Sequence, residues 1–198
     1  SRPRHAIEVY LGDYIDRGPD SRATLDLLIR RSRRGNLVFL KGNHEALLMN
    51  FPVNPSTLGS WRRLGGLETL MSYGLIPSAK ADARTQAELA AAFDKALPPS
   101  HRRFLSDLKT SFTCGDYFFV HAGVRPGVAL EKQREEDLLW IRQEFLHCEE
   151  DFSKIIVHGH TPVLQPEIRS NRINIDTGAY ATGRLSCLVL EADKVRIL

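Results

Sequence analysis

Apolar and polar residues alternate from residue 6 to 11, where Ile7, Val9 and Leu11 are interleaved with Glu8 and Tyr10. A period of two predicts a strand with one apolar face, ended by Gly12. Three further apolar runs have the same character, over residues 36–41, 116–120 and 154–157. Between the first two, Leu25, Leu28 and Ile29 form a helical stripe that Asp20 or Ser21 can cap, and Gly35 stands where a C-terminal cap belongs. This helix reads as a crossover that returns the chain to a strand parallel to the first. Its arginines, Arg22, Arg30, Arg31, Arg33 and Arg34, read as a solvated face, the last four matched to the helix dipole.

Residues 44–110 carry mostly helical patterns. A short helix is predicted over 45–50, a turn over 61–66 followed by a helix bearing Leu67, Leu70 and Met71, and an alanine-rich helix over 85–96. After Pro98 and Pro99, Ser100 is expected to cap a helix that runs to Leu108. A helix over 137–146 would turn Leu138, Ile141 and Phe145 inward and leave Arg142 at a different angle. Strands over 172–175, 186–190 and 194–197 follow, with Asp193 and Lys194 as a hairpin turn between the last two.

The first four strands end in chemistry. They run into Gly12-Asp13-Tyr14-Ile15-Asp16-Arg17-Gly18, Gly42-Asn43-His44-Glu45, His121-Ala122-Gly123 and His158-Gly159-His160-Thr161. Loops leaving the C-terminal edges of strands converge on one crevice in α/β proteins. Asp, Asn and His are ligand types for a hard or borderline metal.

Taken in order, these four motifs resemble those of the PPP-type phosphoprotein phosphatases, within the calcineurin-like metallophosphoesterases. The resemblance covers nearly the whole chain and implies an α/β fold, the α/β/β/α sandwich of that family, as a single domain over residues 1–198 with a helical insertion at about 46–110 forming one wall of the cleft. It implies two divalent metal ions, with Mn first and Fe or Zn compatible. Asp13 would bridge the ions, Asn43 would supply an amide oxygen and touch substrate, and His121 and His160 would complete the second site. His44 would be the proton donor to the leaving group, oriented and kept protonated by Asp16. Arg17 and Arg142 would clamp phosphoryl oxygens, because a guanidinium fork matches two of them. His158 is expected to be structural, Glu45 to support its loop by hydrogen bonding, and Asp176 to fix a turn. His5, His101 and His147 are expected at the surface.

The family pattern opens with a GDxHG strand end that supplies the first site's Asp and His, and that motif is not in the sequence, which begins at Ser1. The expectation is that it lies outside the sequence given; the alternative is a half-built metal site. The Thr161-Pro162 pair leans the reading towards a phosphatase acting on phosphoserine and phosphothreonine, with a phosphoprotein or phosphopeptide as partner. A dinucleoside polyphosphate hydrolase is the near alternative. A catalytically silent phosphopeptide-binding module is the distant one.

Composition narrows this little further. The 198 residues suit one domain, and 42% hydrophobic with 26% charged residues is ordinary for a globular protein. A net charge of +3 gives no reason to expect nucleic-acid binding, and no apolar run approaches a membrane span. Cys114, Cys148 and Cys187 share no ligand-like spacing and are expected to be reduced, small core residues of a cytoplasmic protein.

Overall fold

The structure is a computed structural model that describes residues 6–78, 82–191 and 194–198. It divides into two compact units, Ser1–Leu108 and Lys109–Leu198.

In the first unit, β1 (Glu8–Tyr10) and β2 (Leu37–Phe39) pair in parallel, with Val9 opposite Val38. The expected crossover joins them as α1 (Ser21–Ser32), which buries Leu25 and Leu28. Neither predicted cap bonds the helix start through its side chain: Asp20 occupies the N-cap position without a side-chain bond, and the Ser21 hydroxyl instead accepts the Asp16 N–H at 3.0 Å. Arg31 does more than complement the dipole, since its guanidinium lies 2.7 Å from the Glu8 carboxylate of β1.

The helical stretch follows as α2 (Asn43–Asn50), α3 (Leu58–Arg63), α4 (Gly66–Ser72), α5 (Ala83–Ala96) and α6 (Pro99–Ser106). Three boundaries differ from the pattern reading. Helix α2 starts two residues early, at the motif itself. The predicted turn at 61–66 is helical as far as Arg63 and turns only at Gly65, whose φ is +93°. Ser100 does not cap α6; Pro99 opens it, since proline has no N–H to leave unbonded and its φ is already helical. The core of this unit joins α1, β2 and these helices through Leu25, Phe39, Phe51, Trp61, Phe93 and Leu105. Trp61 packs against Phe51 and Phe93 with ring centroids 5.4 and 5.9 Å away.

The second unit is built on a five-stranded sheet of β3 (Ser111–Cys114), β4 (Tyr117–Val120), β5 (Ile155–His158), β6 (Glu167–Ile168) and β7 (Arg172–Asn174), in the order β3-β4-β5-β7-β6. The interior pairs β4–β5 and β5–β7 are parallel, and the two edge strands are antiparallel. The interior strands are the ones expected from the sequence; the edge strands β3 and β6 were not among the expected strands. After β4 come α7 (Glu135–Trp140) and α8 (Gln143–Leu146). The predicted continuous helix over 137–146 is therefore broken, because neither Ile141, with ψ of 143°, nor Arg142, with ψ of −99°, is helical. The break lets Leu138, Ile141 and Phe145 all enter the core while Arg142 stays exposed. The chain closes with α9 (Ala179–Thr182) and an antiparallel pair, β8 (Leu188–Glu191) with β9 (Lys194–Ile197). The predicted turn at Asp193 lies outside the described residues.

Cys114 and Cys187 are exposed and Cys148 is half-buried, all three free, so they are not the core residues expected. Cys114 falls at the end of an edge strand, where a small side chain has little to pack against. Among the described residues no helix is long and apolar enough to cross a membrane.

Candidate functional site

The expected functional residues fall into two groups, one in each unit. In the first unit the loop after β1 is strained: Asp13, Asp16 and Arg17 have φ of 59°, 75° and 63°. Side chains other than glycine seldom adopt this region, and each such residue costs about 1 kcal/mol or more unless its surroundings impose it. Two sets of contacts do so here.

The first set centres on Glu45, in the opening turn of α2. Its carboxylate accepts the N–H groups of Gly42, Asp13 and Tyr14 at 2.8, 2.9 and 2.7 Å, tying the β1 loop to the β2 loop. This is the loop support expected of Glu45. Burial and then the Asp13 charge push its carboxyl up to about 7, while the N–H donors favour the anion. The loops approach so closely that a Cβ on Gly42 would lie 2.2 Å from Asp13 Oδ1. Only glycine fits.

The second set surrounds Asp16. Its Oδ2 accepts from His44 Nδ1 at 2.6 Å and from Trp61 Nε1 at 2.8 Å, and the Thr69 hydroxyl donates to Oδ1 at 2.5 Å. Its backbone N–H is shared by Ser21 Oγ and Thr69 Oγ1, both at 3.0 Å. A buried carboxylate with three donors is well solvated by the protein. Burial works against the His44 imidazolium, but the bond to Asp16 and the charge of Asp13 outweigh it and hold the His44 pKa above its ordinary value. With Nδ1–H committed to Asp16, Nε2 is the nitrogen that faces Asp13, 3.9 Å from Oδ2. Arg17 is fixed by its backbone, since its N–H donates to Gly65 O at 3.0 Å, and its side chain is exposed. Trp61, Thr69 and Ser21 were not among the expected functional residues. The one sequence sign of this arrangement is the tryptophan itself, because a buried indole N–H needs an acceptor.

In the second unit, His121 follows β4 and His160 follows β5, and both are buried. Their loops are joined by the Gly159 N–H, which donates to His121 O at 2.8 Å. His121 Nε2 and His160 Nδ1 lie 3.1 Å apart. At metal–nitrogen distances of about 2.0–2.1 Å, two nitrogens so spaced can bind one ion. His160 takes a φ of 65°, a further strained residue at a motif. Arg142 Nη1 donates to Thr161 Oγ1 at 3.0 Å and to His160 O at 3.4 Å. Asn174, fully buried at the end of β7, donates to Thr161 O at 2.9 Å and so braces the same loop from behind.

The remaining expected residues sort as follows. His158 is fully buried, its ring edge-on to Phe145 at 4.9 Å, and burial drives its pKa down to about 3, so it is a neutral core residue. Asp176 Oδ1 accepts the Gly178 N–H at 2.9 Å and fixes a turn. His147 is exposed, whereas His5 lies outside the described residues. His101 is not at the surface: it is buried, 2.7 Å from Tyr73 Oη and 3.0 Å from Asp26 Oδ1, because it lies on the inner side of α6.

The chain belongs to the calcineurin-like phosphoesterase family, whose model matches residues 2–195, and it has the fold of that family. It is 27% identical over 194 residues to bis(5'-nucleosyl)-tetraphosphatase PrpE [asymmetrical] of Anoxybacillus flavithermus, covering 90% of this chain and 73% of that protein. The protein of the same name from Bacillus velezensis is 28% identical over 204 residues, covering 90% and 72%. Among solved structures, one described as a putative diadenosine tetraphosphatase superposes with a TM-score of 0.63 at 20% identity, covering 97% of this chain and 79% of that one.

These relatives overturn the expectation of a phosphoserine and phosphothreonine phosphatase and, with it, of a phosphoprotein or phosphopeptide partner. Thr161-Pro162 had carried that leaning. In the structure the Thr161 hydroxyl accepts a hydrogen bond from Arg142, a contact that does not distinguish one phosphate ester or anhydride from another.

Proposed function

We propose that this metallophosphoesterase hydrolyses bis(5′-nucleosyl) tetraphosphates asymmetrically, releasing a nucleoside triphosphate and a nucleoside monophosphate. The observation that carries the reading is the likeness of nine-tenths of the chain to relatives of that name.

Asp13, Asn43, His121 and His160 are the proposed metal ligands, and the His121–His160 spacing suits shared coordination. Manganese is the proposed ion, with iron or zinc compatible with the same donors. Bound divalent ions would neutralise phosphoryl charge and acidify a water molecule. Arg17 and Arg142 hold phosphoryl oxygens through their guanidinium forks. His44, fixed through Nδ1 by Asp16, places Nε2 to give a proton to the departing phosphate oxygen. A triphosphate leaves more readily than an alkoxide, so this proton matters less here than in a monoesterase.

The test is hydrolysis of bis(5′-adenosyl) tetraphosphate and of a phosphoserine peptide by the same manganese-loaded preparation, with Asp13→Asn as the control. Faster turnover of the tetraphosphate, lost in the control, is expected. Turnover of the peptide alone would refute the reading.

A further inference from the structure

Beside Arg142 the second unit has an open cavity of about 500 Å³, lined by Arg125, Arg134, Glu136, Asp137, Trp140 and Glu144 among others. Apart from Arg142, its guanidinium groups are all paired with carboxylates. Arg125 is bound to both Glu144, at 2.6 Å, and Asp137, at 2.5 Å, and Arg134 lies 3.1 Å from Glu136. Arg142 differs, being held by the neutral oxygens of Thr161 and His160. The cavity therefore has one cationic end and a remainder in which two guanidinium groups face three carboxylates, and that remainder offers an anion no net attraction.

That remainder contains an aromatic plate. Trp140 is 39% exposed, whereas Trp61 is fully buried. The Trp140 ring stands edge-on to His160, with centroids 6.2 Å apart. An exposed indole with paired donors and acceptors around it fits a flat, uncharged group that both stacks and hydrogen-bonds. The adjoining arginine fits a phosphoryl group attached to it.

We propose that this cavity seats the nucleoside joined to the attacked phosphate, with its base stacked on Trp140 and its phosphate at Arg142. The inference rests on the tetraphosphatase reading and adds the place where one base is held.

The experiment compares AMP with inorganic phosphate, each titrated calorimetrically into the manganese-loaded wild-type protein, Trp140→Leu and Trp140→Phe. AMP should bind the wild type about tenfold tighter than phosphate, the worth of one base–aromatic stack. That advantage should disappear in Trp140→Leu and persist in Trp140→Phe, with quenching of indole fluorescence by AMP in the wild type. Equal affinity for AMP and phosphate in the wild type, or an advantage that survives in Trp140→Leu, would overturn the proposal. The same three proteins are assayed for tetraphosphate hydrolysis. Hydrolysis with an AMP advantage indifferent to residue 140 rejects the nucleoside seat alone. An advantage that depends on Trp140 without any hydrolysis upholds the seat and rejects the proposed activity.

Discussion

Replacing Thr69 by Val removes one hydroxyl and almost no volume, so the cavity cost that accompanies most core truncations is absent. The loss is the 2.5 Å bond to Asp16 Oδ1, in a carboxylate whose side chain is wholly shielded from solvent. A hydrogen bond to a charged group contributes about 1.5–3 kcal/mol. The Asp16 N–H retains Ser21 Oγ as acceptor, so it adds little to the loss. Thr69→Val should therefore destabilise the first unit by about 2 kcal/mol, and Ser21→Ala, which touches only the backbone side of Asp16, by about half as much. Urea denaturation in a Trp140→Phe background measures this, because Trp61 is then the sole tryptophan and reports the first unit. With a slope of about 1–3 kcal/mol per molar, the midpoint should fall by roughly 1 M. An unchanged midpoint at unchanged slope would mean that Thr69 does not hold the Asp16 carboxylate. Because Asp16 orients His44, the same variant should lower kcat more than it raises KM.

Gly42→Ala should force the Asp13 loop aside, since the added Cβ would meet Asp13 Oδ1 at 2.2 Å; a loss of about 1–3 kcal/mol and reduced manganese retention after gel filtration are expected. His101→Leu should cost about 1–3 kcal/mol by leaving the buried Tyr73 hydroxyl without its bond, and adding Tyr73→Phe should recover part of the loss in thermal melts. The hydrogen bond from Arg125 holds the Asp137 carboxyl below its ordinary pKa. The folded state thus binds that proton less readily than the unfolded state. The resulting stabilisation is full above the ordinary carboxylate pKa and is lost as pH falls through the lowered value. Acid titration of stability should show this loss in the wild type and a flatter curve in Asp137→Asn.

Strands β1, β4 and β5 and the crossover of the first unit could be read from the sequence because each is a local apolar pattern that ends in glycine or histidine. What escaped depends on contacts between distant residues. Trp61 and Thr69 reach Asp16 across 45 and 53 positions, and no periodicity links them. His101 is polar and lies in a helix rich in charge, so nothing local marks it as buried. The break between α7 and α8 contains neither glycine nor proline; the core's demand for Ile141 and Phe145, together with Arg142 bonding to Thr161, accounts for it. The motif residues were visible as a set, but the substrate was not, because charge neutralisation and a positioned histidine serve esters and anhydrides alike.

Hydrolysis of bis(5′-adenosyl) tetraphosphate in oxygen-18 water, with the nucleotides separated and weighed by mass spectrometry, decides whether the chain cleaves such a substrate and where. AMP carrying the heavy oxygen alongside unlabelled ATP is the expected result. Two molecules of ADP, or no nucleotide product with manganese present, would contradict the proposed activity.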